Sequence, residues 1–176
     1  PGRRRTSPCF SRTWSTWYNQ STEQVYHLSV DNSYPYWVYA PQQDAGAIRV
    51  RSRGNFGEIT PMDWNPVGGW EWGTVMPDPL NTNIVYATGS GLLKITYPSE
   101  QTINVAPNSD PSLHLRQTST NPIVFLPWDQ HEMLAGYQFV MATTDGGVHW
   151  HKYSPDLGYP KGVTPPAEGQ AGGRGG

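Results

Sequence analysis

Two ten-residue segments of this chain follow one pattern, set 47 residues apart. Asp31-Asn-Ser-Tyr-Pro-Tyr-Trp-Val-Tyr39-Ala40 and Asp78-Pro-Leu-Asn-Thr-Asn-Ile-Val-Tyr86-Ala87 each run from an aspartate, through a turn, to Val-Tyr-Ala. A looser third copy, Asp129-Gln-His-Glu-Met-Leu134-Ala135-Gly136, places Leu134 48 residues beyond Tyr86. Self-similarity at a fixed period means that one supersecondary unit is repeated and stacked.

The runs around each copy repeat in step. An extended run precedes each aspartate: Val25–Val30, Gly73–Met76 and Ile123–Leu126. A glycine turn and a further apolar run follow each copy: Ala47–Val50, Leu92–Tyr97 and Phe139–Thr143. A fourth run, Val148–Tyr153, is plain only in the last unit. These runs are short, β-branched and aromatic, and bounded by turn residues, which is the strand signature. Four strands at a period of forty to fifty residues predict the blade of a β-propeller. Composition agrees. Glycine (19) and proline (17) are dense enough to break long helices. Eight Trp and ten Tyr argue against a fully disordered chain. The expected fold is all-β: about three four-stranded antiparallel blades over residues 23–161. Propellers close with roughly four to eight blades or more. The expectation is therefore an incomplete propeller within a longer protein, with the remaining blades as its first partner.

The sharpest motif is Thr143-Thr-Asp145-Gly146-Gly147-Val-His-Trp150, which fits Ser/Thr-x-Asp-x-Gly-x-x-Trp, the Asp-box. Asp145 can accept from backbone N–H groups of its own turn. Gly147 supplies a positive φ. Trp150 folds back as an apolar anchor. The roles assigned to Thr143, Asp145, Gly147 and Trp150 are thus structural. Degenerate copies without the aspartate fall at Ser52–Ile59 and Thr96–Ile103.

With this motif and the following Tyr153-Ser-Pro-Asp-Leu157, the chain resembles Asp-box (BNR-repeat) propellers related to sortilin-like domains and xyloglucanase-like glycoside hydrolases. Segments of large bacterial proteins of this kind resemble Tyr39-Ala-Pro-Gln-Gln-Asp44, Trp64-Asn-Pro-Val-Gly-Gly-Trp-Glu-Trp-Gly73 and Pro77–Ala87. The resemblance spans about residues 20–160. It implies a binding or scaffold module for protein or glycan ligands, or else part of a glycoside hydrolase. It also implies an extracytoplasmic or secreted setting.

Gln42-Gln43-Asp44 follows a Val-Tyr-Ala strand, and reads either as a ligand-contact cluster or as a turn fixed by Asp44. Val67–Gly73 combines glycines read as mobile with Trp70, Trp72 and Glu71. Sugar rings stack on aromatic planes, and their hydroxyls suit carboxylate and amide partners. The competing reading is a core tryptophan pair, Trp70 and Trp72, on one strand face. Carboxylate-based glycoside hydrolysis needs two acids about 5–10 Å apart, and the candidates are Asp44, Asp63 and Glu71. The expected binding set is Gln43, Asp44, Trp70 and Glu71, gathered on one rim because the second strand of one unit ends where the first strand of the next begins. Arg49, Arg51, Arg53 and Arg116 do not form the arginine cluster of a sialidase.

His149 and His151 alternate on the expected last strand, but two ligands without a third do not make a metal site. No phosphate-binding glycine loop, nucleophile elbow or paired-cysteine motif is present, and no cofactor is expected. The alternating Arg49, Arg51 and Arg53 do not make a phosphate-binding surface, and no nucleic-acid partner is expected. No run of eighteen apolar residues exists, so no membrane-spanning helix is expected. Residues 1–22 hold Arg3, Arg4, Arg5 and Arg12, no acid and the single cysteine, Cys9. They read as a basic, disordered leader, with nucleic-acid contact or targeting as the alternatives. Residues 162–176 read as a Gly/Pro-rich disordered tail.

Overall fold

A computed structural model describes residues 23–89, 91–107, 111–116, 120–159 and Val163. The basic leader with Cys9 lies outside the described residues, as does the Gly/Pro-rich tail apart from Val163.

Twelve strands among the described residues form three four-stranded antiparallel sheets, each a meander in chain order. The first holds β1 (Ser29–Val30), β2 (Trp37–Gln42), β3 (Gly46–Arg51) and β4 (Trp64–Val67). The second holds β5 (Val75–Pro77), β6 (Ile84–Thr88), β7 (Leu92–Thr96) and β8 (Gln101–Asn104). The third holds β9 (Ile123–Leu126), β10 (Asp129–Gly136), β11 (Val140–Thr143) and β12 (His151–Lys152). Among the described residues the 3₁₀ segments Pro61–Asp63 and Pro111–Leu113 are three residues each, so the fold is all-β with blade-like sheets.

Each sheet has its fourth strand, including the two that hydrophobic patterning missed. Trp64–Val67 pairs with β3 at the sheet edge, where Pro66 costs no ladder hydrogen bond. All four residues of Gln101–Asn104 are exposed, so no apolar alternation marks that strand. The Val25–Val30 run is not one strand. It is an isolated bridge between Val25 and Gln42, followed by β1.

The sheets meet through their first strands, β5 packing on β1 and β2 to one side and on β9 to the other. Ser29 donates its hydroxyl to the Val75 carbonyl (2.6 Å), and the Asn32 amide donates to the Pro79 carbonyl (2.9 Å), tying the first two sheets directly.

The core lies between consecutive sheets. One cluster joins Tyr39, Ala47 and Val67 of the first sheet to Val75, Val85, Ala87 and Ile95 of the second. The other joins Tyr86, Leu92 and Val105 to Ile123, Met133 and Ala135 of the third. β6 serves both, because strand side chains alternate between faces. Val85 and Ala87 face the first sheet, and Tyr86 faces the third. The repeated Val-Tyr-Ala is thus a two-faced strand whose tyrosine packs forward on the next sheet.

In the third unit Leu134 holds the tyrosine's place. It is half-buried and pairs across the sheet with Val124 and Ala142 on the outward face. On the first sheet's opposite outward face, Val38 pairs with Val30 and Val50, and Val50 with Trp64.

Forward packing makes the same repeat position unequal in energy. Tyr86→Ala removes a side chain that is 1% exposed. It is expected to destabilise the protein by about 3–5 kcal/mol, the usual range for truncating a buried aromatic. Leu134→Ala is expected to cost less than half as much. Urea denaturation of both variants checks this; equal losses would contradict the forward-packing account.

Candidate functional site

Strand direction sorts the loops onto two rims. The β2–β3 turn and the connection leaving β4 share one rim, since β4 runs antiparallel to β3. The β1–β2, β3–β4 and β11–β12 connections lie on the other. The first rim carries Gln43, Asp44, Trp70 and Glu71.

The β2–β3 turn spans Gln43 to Ala45, closed by the Gln42–Gly46 pair. Its geometry puts Asp44 in the left-handed region (φ +61°), which aspartate tolerates better than most residues, and Gly46 at φ +79°. The second loop folds at Trp70–Gly73, where the Gly73 N–H donates to the Trp70 carbonyl (3.1 Å).

The two loops are joined by Glu71. Its Oε2 accepts the Asp44 backbone N–H at 2.5 Å and faces Gln43 Nε2 at 3.4 Å. Gln43 Nε2 also donates to Asp44 Oδ1 at 3.0 Å. One amide nitrogen therefore touches both acids, and the triangle puts Asp44 Oδ1 and Glu71 Oε2 less than about 7 Å apart. Trp70 is 52% exposed beside them. Its ring meets Trp72 edge-on, with centroids 6.5 Å apart. Trp72 is half-buried, and its indole N–H is buried without an acceptor.

Tyr26 joins this group, its hydroxyl donating to Gln43 Oε1. It is 43% exposed and is held by its backbone N–H on the Pro41 carbonyl. Sequence reasoning missed Tyr26. Its place in the extended run ahead of β1, antiparallel to the end of β2 that leads into Gln43, is the signal that could have found it.

Three expectations are corrected. Trp70 and Trp72 do not share a strand face, because Trp70–Gly73 is a turn. The glycines of this loop are not mobile spacers. A Cβ on Gly73 would sit 2.2 Å from the Thr88 carbonyl oxygen, and one on Gly68 3.0 Å from Ile95 Cδ1. They let the loop pack flat on β6 and β7. His149 does not lie on the last strand with His151: β12 begins at His151, and His149 belongs to the preceding turn.

Asp63 stands apart from Asp44 and Glu71. It lies at the start of β4, on the opposite rim, where its Oδ2 accepts from the Thr60 N–H (2.8 Å) and hydroxyl (3.0 Å). It caps a turn. Among the described residues no group of three or more His, Cys, Asp or Glu side chains is placed to hold a metal ion.

The Thr143–Trp150 turn is closed around one carboxylate. Asp145 Oδ1 accepts from the Val148 and His149 N–H groups at 3.0 and 2.9 Å, and from the Thr143 hydroxyl at 2.9 Å. Oδ2 meets His149 Nδ1 at 2.6 Å. Gly147 takes φ +90°, and a Cβ there would strike Val105. The Trp150 indole donates to the Val105 carbonyl of the second sheet at 2.9 Å. The hydrogen bond from the His149 backbone, then that from its ring, holds the Asp145 carboxyl well below the usual carboxylate range. A depressed carboxylate contributes stability that is whole above its unfolded pKa, about 3.9, and is lost as pH falls through the folded value.

Asp145→Ala is therefore expected to lower the melting temperature at pH 7. The gap from wild type is expected to shrink steadily below about pH 4. Calorimetry across pH checks it, and a gap independent of pH would show that the ionised carboxylate is not what closes the turn. Comparisons with protein-family models, with curated proteins and with solved structures return no match.

Proposed function

We propose that the chain is a non-catalytic binding module of the sortilin-like Asp-box type, and that the rim of Tyr26, Gln43, Asp44, Trp70 and Glu71 takes a glycan. Two exposed aromatic rings beside an amide and two carboxylates match what a sugar offers, apolar ring faces and hydroxyls. The observation that carries the reading is the Gln43 amide in contact with both acids. A hydrolase keeps the space between its two carboxyls for the scissile bond and water. Here an amide nitrogen bridges that space, and Glu71 spends an oxygen on the Asp44 backbone. Acids so engaged orient a ligand better than they exchange protons with one.

The second reading is a glycoside hydrolase, and the acid separation favours it. Less than about 7 Å between Asp44 Oδ1 and Glu71 Oε2 falls within what the two-carboxylate mechanisms use.

The test is isothermal titration of the full chain with neutral oligosaccharides, run beside a reducing-sugar assay. Binding without turnover is expected. Trp70→Ala should weaken it about tenfold, or 1.4 kcal/mol, with the melting temperature held. Turnover abolished by Glu71→Gln in a folded variant would establish the hydrolase instead. Binding that survives both substitutions would remove the glycan from this rim.

A further inference from the structure

The alternating arginines of β3 belong to no part of that rim. Arg49 lies on the β3 face that carries Ala47 into the core between the first two sheets. Its guanidinium carbon is 4.5 Å from the Trp37 ring centroid of its own sheet and 3.7 Å from that of Tyr97 across the groove. Arg51 shares the same indole at 4.8 Å. Among the described residues neither arginine has a carboxylate at ion-pair distance, and Arg49 Nε is buried without an acceptor.

The acid nearest in role, Asp31, is already engaged. Its Oδ1 accepts from the Ser33 N–H and hydroxyl and from the Trp37 N–H, and its Oδ2 from the Tyr39 hydroxyl. Arg49 borders a cavity of about 400 Å³ between the first two sheets, lined also by Trp37, Tyr97, Thr82, Asn83 and Glu100. That size lies in the usual range for small-molecule sites, about 300–1,000 Å³. Among the described residues the Thr82 hydroxyl and the Asn83 carboxamide carry no hydrogen bond.

We infer that this cavity, on the rim opposite Glu71, binds a small hydroxylated monocarboxylate, a sugar acid. The Tyr39 hydroxyl lies within hydrogen-bonding reach of Arg49 and Nε is buried, but stacking leaves the terminal N–H fork of the guanidinium without a carboxylate, and a planar, bidentate acceptor such as a carboxylate matches that fork. The free Thr82 and Asn83 groups suit ligand hydroxyls, and Glu100 can accept from one. Asp31 and Glu100 also set the charge limit. With two acids on the wall, one carboxylate is tolerated and a phosphate dianion is repelled. The site does not depend on the glycan reading of the other rim.

The experiment titrates the full chain with D-glucuronate, and separately with glucose and with glucose 6-phosphate, following heat and tryptophan fluorescence. Saturable binding of glucuronate is expected, at least tenfold tighter than either control. Arg49→Lys, which keeps the charge and removes the fork, should weaken it at least tenfold. Thr82→Val, on a loop and without a structural hydrogen bond, should weaken it about threefold with the melting temperature unchanged. Glu71→Gln should leave it unaltered, which separates this site from the other rim. The inference is overturned if glucuronate does not saturate, if glucose 6-phosphate binds as tightly, or if folded Arg49→Lys and Thr82→Val both bind as wild type does.

Discussion

Burial of one tyrosine between each pair of consecutive sheets is the contact on which the rest of the structure depends. Tyr39 and Tyr86 are 0% and 1% exposed, and each is contributed by one sheet and covered by the next. A four-stranded sheet of this length cannot bury a two-sided apolar strand alone. It does so only when another sheet is laid over each face. The middle sheet meets that condition on both sides, which is why four of the five β6 residues are buried. Burial also pushes the Tyr86 hydroxyl up to about 12.

The same packing positions the loops of the candidate site. Glu71 sits in a turn that touches the second sheet at two glycines, although its hydrogen bonds go to the first. The Trp70 N–H donates to the Thr88 carbonyl at the end of β6. The rim therefore spans two sheets, and its geometry is only as fixed as the interface beneath it. The Arg49 cavity follows the same rule from the other side. Trp37 and Arg49 come from the first sheet, Tyr97 and Asn83 from the second. Each candidate site is a property of a sheet pair rather than of a blade.

How much of this was legible in the sequence depends on where apolar alternation survives. The 47-residue spacing of Tyr39 and Tyr86 marks the forward-packing position, so the all-β blade architecture could be read directly. The fourth strands could not. Gln101–Asn104 has no buried face, and Pro66 disguises an edge strand as a turn. The meeting of Asp44 with Glu71 followed from topology, because an even number of strand reversals returns the chain to the same rim. The role of the glycines did not follow. A Gly-Gly pair reads as flexibility in one dimension, yet here it allows a close approach visible only once β6 is in place. Tyr26 and the Arg49–Tyr97 contact escaped for a related reason: each joins residues far apart in sequence, 17 and 48 positions, without a motif.

The two rims differ in how they hold charge, and that difference bears on what each can do. On the Glu71 rim the acids are neighbours of a neutral amide and backbone N–H groups, with no cation paired to them among the described residues. Such acids accept hydrogen bonds from hydroxyls, and they repel an anionic ligand. On the opposite rim the cation is held by aromatic faces and the nearby Tyr39 hydroxyl instead of by a carboxylate, so no salt bridge competes for it. A cation neutralised by a salt bridge would have to break that pair to bind a ligand, at the cost of exposing a buried acid. Stacking on Trp37 and Tyr97 orients Arg49 without that competition. The chain thus places the Gln43, Asp44 and Glu71 cluster at one end of its sheets and the Arg49 cavity at the other, both built on the contact between the first and second blades.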